Sequence, residues 1–246
     1  MRLHETNVSV GNWLFRYRSY IPLLMLFVLI PATLNRTYPF GIHSYDLIYE
    51  MFCFGISMFG LGIRAYTIGH TPIGTSGRNT KRQLADSLNI DGIYSTTRNP
   101  LYLGNFFMML GVVMFTYDFA TVLIFVLFFW LYYEKIIQAE ESFLSQKYKE
   151  AYEEYCKNTR TFIPSFKNYR VSKLEFSFKN VLKREYNGFF GVIFSFVVLE
   201  LISNYVVQNR IFIDTLWSYI FIIGLILFIT LRTLKKNTKL LHAEGR

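Results

Sequence analysis

Two cysteines, six prolines and four histidines in 246 residues exclude several function classes at once. Cys53 lies in an apolar stretch and Cys156 in a polar one, so no disulfide framework holds the fold and neither thiol has a nucleophile's setting. His4, His43, His70 and His242 are scattered without metal-ligand spacing, so no metal site is expected. Gly60-Leu61-Gly62 falls inside an apolar stretch and reads as helix packing rather than a dinucleotide loop. Charge is scarce as well. Charged residues make up 17% of the chain against 52% hydrophobic and 19% aromatic, with a mean hydropathy of +0.25, a balance foreign to soluble folds. No internal repeat or low-complexity tract is visible.

What is present is apolar sequence in long runs. Residues 20–34, 47–68, 101–117, 119–133, 188–207 and 211–231 form six stretches near the ~20 residues that cross a ~30 Å hydrocarbon core. The first and fourth are short. The first also ends in Ile30-Pro31-Ala32-Thr33 without a small-residue cleavage site, so it is expected to stay as an anchor. The fold class that follows is all-α: a polytopic transmembrane helical bundle of about six spans with a cytoplasmic helical extension. Six buried helices in a soluble protein would leave too little polar surface to cover them.

The formal charge of +9 would suggest nucleic acid on a soluble protein, but its distribution points elsewhere. With the N-terminus inside, the inner segments carry Arg2, Arg16, Arg18, Arg78, Lys81, Arg82, Arg98, eleven Lys/Arg between Lys135 and Arg184, and five from Arg232 onward. Only Arg36 and Arg210 fall outside. This bias places both termini in the cytoplasm and accounts for the charge without nucleic acid. Arg64, near the inner end of the second stretch, is expected to snorkel to the interface.

Outer connections are short and inner ones long. The first inner loop opens with the turn-forming run Thr71-Pro72-Ile73-Gly74-Thr75-Ser76-Gly77. The fourth stretch continues without Pro or Gly toward Tyr155, which predicts one long helix leaving the membrane. Ile137, Glu141, Leu144, Tyr148 and Tyr155 share one face of it, so Glu141 sits on an apolar stripe and needs a cationic partner: Arg98, a Lys, or a cationic ligand. Glu200, inside the fifth stretch, is a functional candidate unless Asn204 or the outer interface satisfies it.

The richest motif crosses from the first inner loop into the third stretch: Gly92, Tyr94, Arg98, Asn99, Pro100, Tyr102 and Gly104. Asn99 is suited to an N-cap and Pro100 to the first helical position, so a helix begins at the membrane surface with free backbone N–H groups, a place for a carboxylate or phosphate helped by Arg98. Gly104, one turn on, permits close approach. The plainer reading is an ordinary helix start with Arg98 and Tyr102 as interfacial anchors. Glu140-Glu141, at the inner end of the next helix of the hairpin, returns to the same surface.

Together these elements resemble the isoprenylcysteine carboxyl methyltransferase and phospholipid methyltransferase superfamily, whose pattern is G-x-Y-x-x-x-R-H-P-x-Y-x-G, a helical hairpin, E-E, and a tail ending in I-P. Gly92, Tyr94, Arg98, Pro100, Tyr102 and Gly104 match the first part, Glu140 and Glu141 the second, and Phe143, Leu144, Tyr148, Tyr152, Tyr155 and Pro164 the tail. The resemblance divides the chain into 1–91, a two-span N-terminal region and loop, 92–164, the matching hairpin and tail, and 165–246, a basic linker and two further spans. Asn99 replaces the family's His and cannot act as an acid or base near neutral pH.

The resemblance implies S-adenosylmethionine as cofactor and a membrane lipid or lipidated acceptor carrying a carboxylate, phosphate or amine. It implies Tyr94, Arg98, Asn99, Tyr102, Gly104, Glu140 and Glu141 as cofactor-binding residues. Catalytic residues, acceptor identity and oligomeric state are not legible. Membrane sterol reductases resemble the same superfamily, and Tyr155-Cys156 and Ile163-Pro164 echo their tail, but their arginine-rich stretch is replaced here by Glu140-Glu141-Ser142-Phe143-Leu144. An NADPH-dependent reductase and a non-catalytic membrane scaffold are therefore the alternatives.

Overall fold

A computed structural model describes residues 3–18, 20–38, 45–72, 74–75, 85–243 and 245. Arg2, His43, Ile73, Ser76, Gly77, Arg78, Lys81, Arg82 and Arg246 lie outside the described residues. The secondary structure is helical: α1 (Leu3–Arg16), a 3-10 turn (Ile21–Met25), α2 (Leu26–Leu34), α3 (Asp46–Gly69), α4 (Pro100–Met114), α5 (Phe119–Tyr148), α6 (Glu150–Asn158), α7 (Phe178–Gln208) and α8 (Thr215–Asn237). The chain is an all-α polytopic bundle.

Helices α3, α5, α7 and α8 are long and apolar enough to cross a membrane. The other two expected spans are shorter than their hydropathy suggested. At ~1.5 Å per residue, α4 covers only about 22 Å. The first stretch is a 3-10 turn running into the nine-residue α2, about 24 Å together. α1 was not expected, because LHETNVSVGNWLFR holds no apolar run long enough to register.

α3 and α4 touch backbone to backbone. A Cβ on Gly60 would collide with the Met108 nitrogen and Gly104 carbonyl, and one on Gly111 with Cys53 and Ser57. Small residues permit this approach where lipid supplies no hydrophobic drive for helix pairing. Ser57 adds a hydrogen bond to the Met108 carbonyl at 2.8 Å. Gly62 has open space beside it, so only Gly60 of that pair serves packing. α1 is held on α5 in the same way, with Gly11 against the Lys135 carbonyl. α7 packs on α3 and α8, with Phe196 stacked on Trp217 at 5.3 Å between centroids.

At the end of the bundle away from the α4 N-terminus, a buried polar cluster joins α2, α3, α7 and α8. Arg36 pairs with Asp46 at 2.5 Å and Glu50 at 3.3 Å, donates to Ser203, and lies 4.3 Å from the Phe115 ring centroid. Trp217 donates to Glu50 at 2.8 Å, and Asn204 to Glu200 at 2.8 Å. Asn204 thus satisfies Glu200 as one sequence reading expected.

Replacing Arg36 with Gln would leave Asp46 and Glu50 buried without their cation. The expected cost is about 3–5 kcal/mol, read as a lowered unfolding midpoint in detergent; an unchanged midpoint would refute the pairing's role.

Candidate functional site

The helix predicted to run unbroken to Tyr155 stops at Tyr148. Lys149 takes a left-handed φ of +46° and α6 sets off in a new direction, although no Pro or Gly marks the break. The break folds the tail back over the start of α4, and the two are sewn together. Arg98 N–H donates to the Arg160 carbonyl at 2.9 Å and Ser165 N–H to Thr96 at 2.9 Å. The Tyr155 hydroxyl donates to the Tyr94 carbonyl at 2.6 Å, and Gly92, at φ +61°, donates to the Arg170 carbonyl at 2.9 Å. A residue with a Cβ would be strained at Gly92.

Arg98 is the centre of this seam. Its Nε and Nη2 grip Glu141 at 2.9 and 3.2 Å, its Nη1 donates to the Cys156 and Thr159 carbonyls at 3.3 and 2.8 Å, and its Nη2 also donates to Thr161 Oγ1 at 2.6 Å. Those bonds use all five guanidinium N–H groups. Burial alone would lower the Arg98 pKa, but the bond to and charge of Glu141 hold it above its ordinary value. The donors of Arg98 are thus met by the protein itself, while its side chain lines the cavity.

Asn99 occupies the N-cap position of α4 but makes no capping bond, its amide donating instead to the Thr161 carbonyl at 3.0 Å. Gly104 faces α3, where a Cβ would meet Arg64 Cγ at 2.5 Å, and is not among the residues lining the cavity.

Tyr94, Arg98, Asn99, Tyr102, Glu140 and Glu141 do converge, lining one cavity of about 330 Å3. Glu140 has the loosest partnership of the carboxylates here, 3.7 Å from Arg18 of the chain just after α1. The Tyr102 hydroxyl is close enough to interact with it, and the Tyr102 ring lies 4.8 Å from that of Tyr133. Burial, and next the charge of Glu140, push the Tyr94 phenol well above its ordinary range, so it stays neutral. Burial likewise raises the Cys156 thiol, which removes it as a nucleophile.

Further residues reach this cavity that sequence reasoning did not place there. Phe15 and Arg18 arrive from α1 and its exit, Asn105 from α4, and Arg184 and Glu185 from α7. Arg64 is corrected most sharply. Instead of snorkelling it holds Glu185 through Nε and Nη2 at 2.8 and 2.7 Å and Asn105 through Nη1 at 2.7 Å. A charge inside an apolar stretch was the available signal.

Residues 51–151 match the family described as phospholipid methyltransferase. This segment is thus similar to the phospholipid methyltransferase family, the resemblance its motifs carry. A protein of Schizosaccharomyces pombe named Protein-S-isoprenylcysteine O-methyltransferase is 35% identical over 85 residues, covering 35% of this chain and 36% of the relative. The Cobalt-zinc-cadmium resistance protein CzcN of Cupriavidus metallidurans is 32% identical over 112 residues, covering 45% and 49%. The chain thus spans about a third to a half of the length of these curated relatives. No solved structure matches it. Among the described residues, no group of three or more His, Cys, Asp or Glu could hold a metal ion.

Arg98→Ala and Glu141→Ala should each destabilise the protein, and the double variant by less than their sum. The expected coupling is about 0.5–3 kcal/mol from denaturant titrations of all four proteins; simple additivity would contradict the seam.

Proposed function

We propose that this integral membrane protein is an S-adenosylmethionine-dependent methyltransferase acting on a lipid or lipidated acceptor with a carboxylate, phosphate or amine headgroup. The observation that carries the reading is the convergence of Glu140, the α4 N-terminus and the Tyr94 and Tyr102 rings on one cavity within the ~300–1,000 Å3 range of small-molecule sites.

The donor set suits the cofactor, which supplies when bound a methyl group on a sulfonium. Glu140, whose ion pair to Arg18 is 3.7 Å long and whose other neighbour is the Tyr102 hydroxyl, can accept from an ammonium. The backbone N–H groups of Leu101 and Tyr102, in the first turn of α4 and on lining residues, suit a carboxylate at the positive end of the helix dipole. The Tyr94 and Tyr102 rings offer faces to a sulfonium or an adenine. Asn99 moves no proton, which an already anionic acceptor does not require. Alignment and exclusion of water then carry the rate. The name of the Schizosaccharomyces pombe relative favours a prenylcysteine carboxylate as one such acceptor. The bias of Lys and Arg places both termini and the cavity on the cytoplasmic side, with the acceptor entering from lipid.

Calorimetry on detergent-purified protein tests this. Saturable S-adenosylmethionine binding is expected, weakened about tenfold or more by Glu140→Gln because a hydrogen bond to a charged group is lost, with the unfolding midpoint little changed. Binding of NADPH in place of S-adenosylmethionine would transfer the reading to a reductase, and binding of neither by folded protein would leave a scaffold.

A further inference from the structure

The two arginines that helices α3 and α4 bring to the cavity are not equivalent. Every N–H of Arg98 has a protein acceptor within 3.3 Å. Arg64 makes three hydrogen bonds, to both oxygens of Glu185 and to Asn105 Oδ1. A guanidinium carries five N–H groups. Two therefore have no acceptor among the described residues, one on Nη1 and one on Nη2. The Arg64 side chain is 16% exposed and lines the cavity, which gives a ligand there a route to those donors.

We infer that Arg64 is the cavity's anion-binding residue, taking a two-oxygen anion, carboxylate or phosphate, on its two terminal nitrogens. This rests on the methyltransferase reading for the identity of its ligands. A paired donor on adjacent nitrogens of a planar cation is the arrangement that engages carboxylate and phosphate through two bonds at once. Glu185 and Asn105 supply the orientation: they fix the guanidinium plane from α7 and α4, so little side-chain freedom is lost when the anion arrives. Arg184, next to Glu185 on α7, lines the same cavity and adds positive charge to it. Glu185 and Arg184 lie beyond residues 51–151, so this part of the site is built by α7 outside the matched segment.

The anion has two sources, the carboxylate of the methyl donor or the headgroup of the acceptor, and the test separates them. Full-length wild type, Arg64→Gln and Arg64→Lys are purified in detergent and checked for cooperative thermal unfolding. Binding is then measured to three ligand pairs that differ by the anion: S-adenosylmethionine and its decarboxylated analogue, N-acetyl-S-farnesylcysteine and its carboxamide, and phosphatidate and diacylglycerol in nanodiscs. Wild type should prefer the anionic member of one pair by about tenfold or more. Both variants should lose that preference and keep wild-type affinity for the neutral member. Arg64→Lys retains the charge beside Glu185 and so covers a failure of the Gln variant to fold, but it lacks the paired donors and should still lose several-fold. Loss within the donor pair assigns Arg64 to the donor; loss within an acceptor pair assigns it to that acceptor. A wild type without preference in any pair, or folded variants that retain it, would overturn the inference. An Arg64-dependent preference for an anionic acceptor in a protein that binds no S-adenosylmethionine would overturn the methyltransferase reading alone.

Discussion

One guanidinium holds together the end of the bundle where α4 begins. Arg98 leads into α4, its partner Glu141 ends the apolar part of α5, and its remaining acceptors, Cys156, Thr159 and Thr161, belong to α6 and the tail beyond. Three stretches far apart in sequence meet at a single planar group whose every donor is used. A half-satisfied cation there would be worse than none, since a buried charge needs its full complement of partners. The cavity exists because this point is fixed. Tyr94, Asn99, Tyr102, Glu140 and Glu141 all lie within a few residues of one of the stretches that Arg98 ties.

The same principle is used differently at the other end of the bundle. Arg36 gathers Asp46, Glu50 and Ser203, so its charge is spent on joining helices α2, α3 and α7. Arg64 stands between these cases: it is anchored by Glu185 and Asn105, yet two of its donors are left over.

Much of the bundle and part of the site were legible from residue order. Apolar length marked α3, α5, α7 and α8, and the spacing of Asn99 and Pro100 marked the start of α4. Local pattern reports propensity, however, and what it missed was decided by distant partners. Nothing near Lys149 signals a break, because the turn is stabilised by what the tail meets afterwards: Tyr94, Thr96 and Arg98. α1 left no hydropathy signal because it packs through Gly11 on α5 rather than through a long apolar run. Arg64 was assigned to the interface because its partner Glu185 lies 121 positions away. Gly104 was assigned to a ligand because a glycine shows that something comes close, not what; here it is α3.

The glycine contact between α3 and α4 also has a mechanical meaning. Two helices whose backbones touch along Gly60, Gly104 and Gly111 have no intervening side chains to slide or re-rotamer, so they move as a single plate. That plate carries Arg64, Asn105 and the start of α4, one complete wall of the cavity. The facing walls come from α1 and α5, which pack on each other, and from α7, which packs on both α3 and α8. Because Gly11 ties α1 to α5 in the same manner, the cavity lies between two glycine-joined helix pairs, with α7 as its third wall.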